Sequence, residues 1–181
     1  MKDRISYLPN GICSHIVSFL PFEEAIKTSI LSTQWRHICC SLSNLEFCQY
    51  QLQIRKNIKV SDFKDLIYDT LILHDGSDIN KFVLKVIIDG ANVSIHHVNA
   101  WIAFAVRHNV RSLEISEYSF DLERLPLCVF TCSTLTELRL SYIRLILPST
   151  FIFPMVTTLE VTHVKFYSES CNIPKPITRV L

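Results

Sequence analysis

One apolar template recurs four times in the second half of the chain. Ile79-x-x-Phe82-x-Leu84 returns as Val110-x-x-Leu113-x-Ile115, as Leu135-x-x-Leu138-x-Leu140 and as Val156-x-x-Leu159-x-Val161, with starts 31, 25 and 21 residues apart. A single copy cannot bury its stripe, so the copies are expected to stack as parallel strands, with the segments between them packed behind. A second register agrees: Leu125-Pro126-x-x-Val129-Phe130 and Leu147-Pro148-x-x-Phe151-Ile152 stand 10 and 9 residues ahead of the next template. The competing reading is an ordinary mixed α/β domain with alternating strands.

Two of the three steps fall in the roughly 20 to 29 residue period of leucine-rich repeats, and the longest step holds a whole helix. The expected fold is therefore an irregular α/β solenoid with a parallel sheet. Three positions past each template, where such repeats usually place asparagine, stand Ile87, Tyr118, Ile143 and Val164. Apolar packing is thus expected to hold the turn in place of an amide ladder. The exposed strand residues would form a recognition face: Lys81, Val83 and Lys85, then Ser112, Glu114 and Ser116, then Glu137, Arg139 and Ser141, then Thr158, Glu160 and Thr162. Of these, Lys81, Lys85, Glu114, Glu137, Arg139 and Glu160 are candidate target contacts. Glu114, Arg139 and Glu160 fall in one row of alternating charge, which cross-strand pairing on a solvated face would also explain.

Two helices are predicted ahead of and between these strands. Asp62 to Leu73 puts Phe63, Leu66, Ile67 and Leu71 on one face, with Ser61 as a cap and Gly76 just past the end. Ser94 to His108 does the same with Val98, Trp101, Ile102, Ala105 and Val106, and Asn109 suits the left-handed position that ends a helix. Both should pack against the first strands.

The N-terminal segment reads as three short helices. Pro9 opens the first, and Ile12, Ile16, Phe19 and Leu20 share a face until Pro21 stops it. That face wants a partner. Phe22 to Ile30 forms the second, with Glu23 and Glu24 opposing the dipole and Ala25, Ile26 and Ile30 turned inward. Ser32 caps the third, which carries Trp35 and Ile38. About 40 residues is the limit for independent stability, so the unit should lean on the rest of the chain or on another protein. A plain small helical domain would share this periodicity.

The ordered string Leu8-Pro9, Phe19-Leu20-Pro21, Thr28-Ser29-x-Leu31-Ser32-x-x-Trp35-Arg36 is more specific, and it resembles an F-box. That resemblance implies a module that docks on the Skp-type adaptor of a cullin-RING ligase, with Leu8, Pro9, Ile12, Ile16, Leu20, Pro21, Ile30, Leu31 and Trp35 as interface or core positions. Ile38-Cys39-Cys40 departs from the family, where an aromatic residue often follows the Trp-Arg pair. With Leu73-His74-Asp75-Gly76-Ser77, Val98-Asn99-x-Trp101-Ile102 and Phe130-Thr131-Cys132-x-Thr134-Leu135, the chain from residue 3 to about 167 resembles the plant F-box/leucine-rich-repeat proteins that often end in an FBD domain. The expected divisions are an F-box at 1–45, a linker and helix at 46–78, incomplete repeats at 79–167 and a divergent tail at 168–181. The tail suggests a member lacking the FBD portion, whose last strand has an open edge and which needs the adaptor to behave well in solution.

The implied function is a non-catalytic, substrate-recruiting subunit of an SCF-type ubiquitin ligase, joined through the adaptor to a cullin and holding an unknown target, in nucleus or cytoplasm. A competing reading binds the adaptor without recruiting a target, as competitor or scaffold; an enzyme with an unrecognised site is the third. Composition bears on these. Eighteen basic against seventeen acidic residues leave +1, with no charge run suited to nucleic acid or an anionic membrane. Three scattered glycines build neither a dinucleotide turn nor a P-loop, and no G-x-S-x-G or H-E-x-x-H occurs. Seven cysteines, with no Cys-x-x-Cys pair, read as reduced thiols. His96-His97 lacks partners at metal-ligand spacing, so no metal or cofactor is expected. No apolar run approaches bilayer length.

Overall fold

The computed structural model describes residues 8–20, 22–56, 59–148 and 152–168. Three short helices, α1 (Asn10–Ser18), α2 (Phe22–Thr28) and α3 (Thr33–Cys40), lead into strand β1 (Asn44–Cys48). There follow α4 (Gln49–Lys56), α5 (Val60–Leu73), β2 (Lys81–Val86), α6 (Ile95–Arg107), β3 (Ser112–Glu117), α7 (Leu127–Phe130), β4 (Glu137–Ser141), β5 (Arg144–Leu147), β6 (Thr158–Thr162) and β7 (Lys165–Ser168). β1, β2, β3, β4 and β6 form one parallel sheet in chain order, and β5 and β7 pair in a second. Among the described residues the fold is mixed helix and parallel sheet with no closed barrel. No helix among the described residues is long and apolar enough to cross a membrane.

The template sets the register. Phe82, Leu113, Leu138 and Leu159 lie side by side, as do Leu84, Ile115, Leu140 and Val161. The sheet has a first strand that the sequence reading lacked. Leu45 and Phe47 continue the same two rows beside Phe82 and Leu84, and Leu42-x-x-Leu45-x-Phe47 is the template once more. Behind the strands, α5 buries Phe63, Ile67 and Leu71, and α6 buries Val98, Trp101, Ile102 and Ala105, in one apolar core.

Local chemistry explains the helix ends. Ser32 accepts the Trp35 amide at 3.4 Å and starts α3. Ser94 starts α6, where its own amide donates to His97 Nδ1 at 3.1 Å. Asn109 sits at φ 56, the left-handed conformation that ends α6. Helix α5 begins two residues earlier than predicted, after Lys59, so Ser61 is inside its first turn and not its cap.

The turns depart from expectation in a more telling way. Ile143 is buried, but Ile87 and Tyr118 are exposed, so apolar packing does not hold the turns after β2 and β3. Polar side chains do. Buried Gln49 accepts the Ile87 amide at 2.8 Å, and the fully buried Glu117 carboxylate accepts the amides of Ile88, Ser119, Asp121 and Leu122 at 3.3, 2.7, 2.8 and 3.3 Å.

His74 joins the helical module to the repeats. Its Nε2 donates to the Leu42 carbonyl at 3.3 Å while Nδ1 accepts the Gly76 amide at 3.2 Å, an arrangement open only to the neutral ring. Next to it, the Asp75 amide donates to Cys40 O at 2.9 Å. Burial holds the His74 pKa below the ordinary 6.5, with the nearby His108 acting the same way. Because the folded value lies below the unfolded one, this contribution to stability is complete above about pH 6.5 and is lost as pH falls through the folded value. NMR titration is expected to place the His74 midpoint below 6.5, with the Asp75 amide signal moving in step.

Candidate docking site

The F-box segment has its own small core. Cys13, Val17, Ala25, Trp35 and Ile38 are buried together, with Leu8, Leu20 and Leu42 packed against them. Leu42 also touches the large core, and Phe22 meets Phe47 edge-on at 5.0 Å, so the module rests on β1. The position of Trp35 is thereby settled: at 3% exposure it is core and not contact surface.

The opposite face of α1 is bare. Ile12 is 50%, Ile16 39% and Phe19 73% exposed, and in the turn between α2 and α3 Ile30 is 84% and Leu31 59% exposed. Residues 12, 16 and 19 share one helical face by spacing. Gln34, near the start of α3, donates to Leu8 O at 2.6 Å and Asn10 Oδ1 at 2.9 Å, which brings the Ile30–Leu31 turn toward the start of α1. Pro9 is exposed there, its carbonyl accepting the Ile12 and Cys13 amides. Leu8 and Leu20 are half-buried, and Pro21 lies outside the described residues. The inward position expected for Ile30 is overturned, because α2 ends at Thr28 and Ile30 lies beyond the helical face that Ala25 buries. Exposing several large apolar side chains costs a free monomer stability, and such a patch marks an interaction surface.

The strand face carries the other candidates. Glu114, Arg139 and Glu160 stand in one row, to which β2 contributes Val83 and β1 contributes Glu46. The charges pair with one another. Lys81 meets Glu46 at 3.1 Å, Lys85 meets Glu114 at 2.7 Å, and Arg139 meets Glu137 at 3.0 Å and Glu160 at 2.9 Å. The Glu114 partner holds the Lys85 ammonium above its ordinary pKa. Pairs this exposed contribute little, roughly 0–1 kcal/mol each, so the face is near-neutral and self-satisfied.

Sequence reasoning missed a rim at the C-terminal ends of the strands. Tyr118 and Tyr142 rings lie 5.2 Å apart, and Tyr142 stacks on His163 at 4.8 Å. Tyr142 and His163 both adopt positive φ at equivalent positions, a backbone signal that side-chain type does not advertise. Beside the rim, a cavity of about 470 Å³ is lined by Gln49, Tyr50, Lys85, Val86, Ile87 and Tyr118, among others.

Among the described residues neither cysteines nor histidines assemble into a site. The six described cysteines are free, burial raises the Cys39 and Cys128 thiols, and His97 is engaged by Ser94 and Trp101. Among the described residues no group of three or more His, Cys, Asp or Glu could hold a metal ion.

Comparison with known proteins bears on the exposed helical face. The F-box domain family matches residues 5–47. An F-box/LRR-repeat protein of Arabidopsis thaliana is 34% identical over 143 residues, covering 77% of this chain and 26% of its own. From the same plant, an F-box/FBD/LRR-repeat protein is 31% identical over 179 residues, 98% of this chain and 41% of its own, and an FBD-associated F-box protein is 30% identical over 184 residues, 95% and 43%. The chain thus spans between about a quarter and two fifths of the length of these relatives. No solved structure matches it. An F-box over residues 5–47, with 30–34% identity to these proteins across most of the chain, makes this a member of the F-box protein family, homologous to the F-box/LRR-repeat and FBD proteins of Arabidopsis.

Proposed function

We propose that the chain is a non-catalytic, substrate-recruiting subunit of an SCF-type ubiquitin ligase, acting in nucleus or cytoplasm without a cofactor. Its F-box grips a Skp-type adaptor, and through it a cullin, while its repeat region presents a target protein. The observation that carries this reading is the apolar surface of Ile12, Ile16, Phe19, Ile30 and Leu31, left uncovered within the F-box match. The region after the F-box is read as an irregular leucine-rich-repeat solenoid, supported by parallel strands in chain order with the template in constant register. Co-expression with a plant Skp-type protein tests the docking step; absence of a stoichiometric complex defeats it.

The self-paired strand face favours a second reading, in which the chain occupies the adaptor and recruits nothing through these charges. Arg139→Glu places a third carboxylate between Glu137 and Glu160. Its expected effect is a stability loss of about 1 kcal/mol or less with adaptor binding unchanged. A client co-purifying with the parent chain and lost with this variant would restore the face as a target contact.

A further inference from the structure

The strand ends carry what the strand face lacks. Ile87, Tyr118, Tyr142 and His163 each directly follow a strand, β2, β3, β4 and β6, and so stand in one row along the C-terminal ends of the sheet. Tyr118 tilts against Tyr142 at 5.2 Å, and Tyr142 lies flat on His163 with 3° between the rings. Tyr118 and His163 are exposed and Tyr142 is half-buried. The backbone is left-handed at Tyr142, φ 59, and at His163, φ 54. Asparagine or glycine would hold that conformation at less cost, so the turn itself does not call for the rings.

Tyr118 also walls the cavity of about 470 Å³, with Tyr50, Val86 and Ile87 as its other large apolar surfaces. That volume is in the range of ligand pockets. Lys85 is the one charged residue lining it, and Glu114 holds the ammonium at 2.7 Å. Gln49 supplies the unspent polarity. It is only 3% exposed, its Oε1 accepts the Ile87 amide, and that bond fixes which way the side-chain amide lies. Its Nε2 then has no acceptor among the described residues, although the residue stands in the wall of an open cavity. A buried donor of this kind calls for a partner.

We propose that this rim, not the charged strand face, is where a target is held: a neutral, extended peptide segment lies along Tyr118, Tyr142 and His163 and seats one large apolar side chain in the cavity, with a backbone carbonyl accepting from Gln49 Nε2. This site deepens the ligase reading above and rests on it. Shape selects an extended occupant. Tyr118 belongs to both cavity and row, and the row spans two strand spacings, about 10 Å, which a compact molecule filling the cavity alone would leave bare. An extended chain of about three residues covers that length. Charge selects a neutral one. With Lys85 already paired, the cavity has no free cation to draw a carboxylate or a phosphate, and taking Lys85 from Glu114 would leave that carboxylate alone. What Gln49 lacks is an acceptor, which every peptide unit carries.

NMR titration of the full chain with three blocked tripeptides, acetyl-Gly-Phe-Gly-amide and its Ala and Asp counterparts, tests this. The Phe peptide is expected to shift the Ile87 and Tyr118 amide signals and to bind about tenfold or more tightly than the Ala peptide, since the ring supplies the buried area. The Asp peptide should bind no better than the Ala peptide. Tyr118→Ala, at an exposed position, is expected to weaken the Phe peptide about tenfold. Gln49→Glu keeps an oxygen for the Ile87 amide but removes the donor, and should weaken it about fivefold. Equal binding of the Phe and Ala peptides, or Phe binding that ignores Tyr118→Ala, overturns the site. So does an Asp peptide that binds tightest, or a thymidine oligonucleotide that moves the same signals at lower concentration, which would assign the rim to an anion or to nucleic acid. Adaptor capture is read separately by co-expression. Capture without peptide binding overturns the site and leaves the docking reading standing, and peptide binding without capture does the reverse.

Discussion

Replacing both Ile16 and Phe19 with lysine is expected to leave the melting temperature within about 3 °C of the parent and to weaken adaptor capture by two or more orders of magnitude. The first half follows from position. Phe19 is largely in solvent and Ile16 is 39% exposed, and they stand at the C-cap and in the last turn of α1, where a cation complements the helix dipole. The second half follows from burial. Covering an isoleucine or phenylalanine is worth roughly 1.5–3 kcal/mol each, and every 1.4 kcal/mol is about tenfold in affinity. The buried ammonium groups would add their desolvation cost. Calorimetric titration of the adaptor separates this outcome from simple unfolding. Trp35→Ala is the contrasting variant: removing a core aromatic costs roughly 3–5 kcal/mol, so it should lose binding together with its thermal transition. If Ile16→Lys/Phe19→Lys binds like the parent, the exposed face of α1 is not the docking surface.

How far the sequence anticipated this arrangement depended on which interactions repeat. The four templates placed the strands because a two-residue alternation on a buried face leaves one register, and residues 82, 113, 138 and 159 fell into one row as a result. Strand β1 was missed although Leu42, Leu45 and Phe47 fit the same template, since 37 residues separate its start from Ile79 and two helices intervene. The F-box string located the module but could not sort contact from core. Ile12, Cys13, Ile16 and Val17 are all apolar neighbours on one helix, and only packing shows that Cys13 and Val17 face inward. Turn chemistry was the least legible. Gln49 opens α4 directly after β1 and Glu117 ends β3 beside Val86, but nothing local marks a glutamine or glutamate as buried.

Glu117 is where that omission has its largest consequence, for its removal is expected to be among the most damaging single changes in the repeat region. The carboxylate is fully buried, and four backbone amides and the Ser119 hydroxyl supply the compensating dipoles. Oε1 serves Ile88 and Ser119, and Oε2 serves Asp121 and Leu122, so the two oxygens fasten two different stretches of chain. Glu117→Ala strands several buried donors at once and should cost roughly 3–5 kcal/mol, lowering the melting temperature by about 10 °C. Glu117→Gln tests the mechanism. An amide keeps one oxygen and turns an NH2 toward the other pair of donors, so it should recover only part of the loss. Lys85→Ala, which breaks a half-buried surface pair one strand away, should cost about 1 kcal/mol. Were Glu117→Ala as mild as Lys85→Ala, water would have to replace the carboxylate in the turn, and the polar brace assigned to the end of β3 would be wrong.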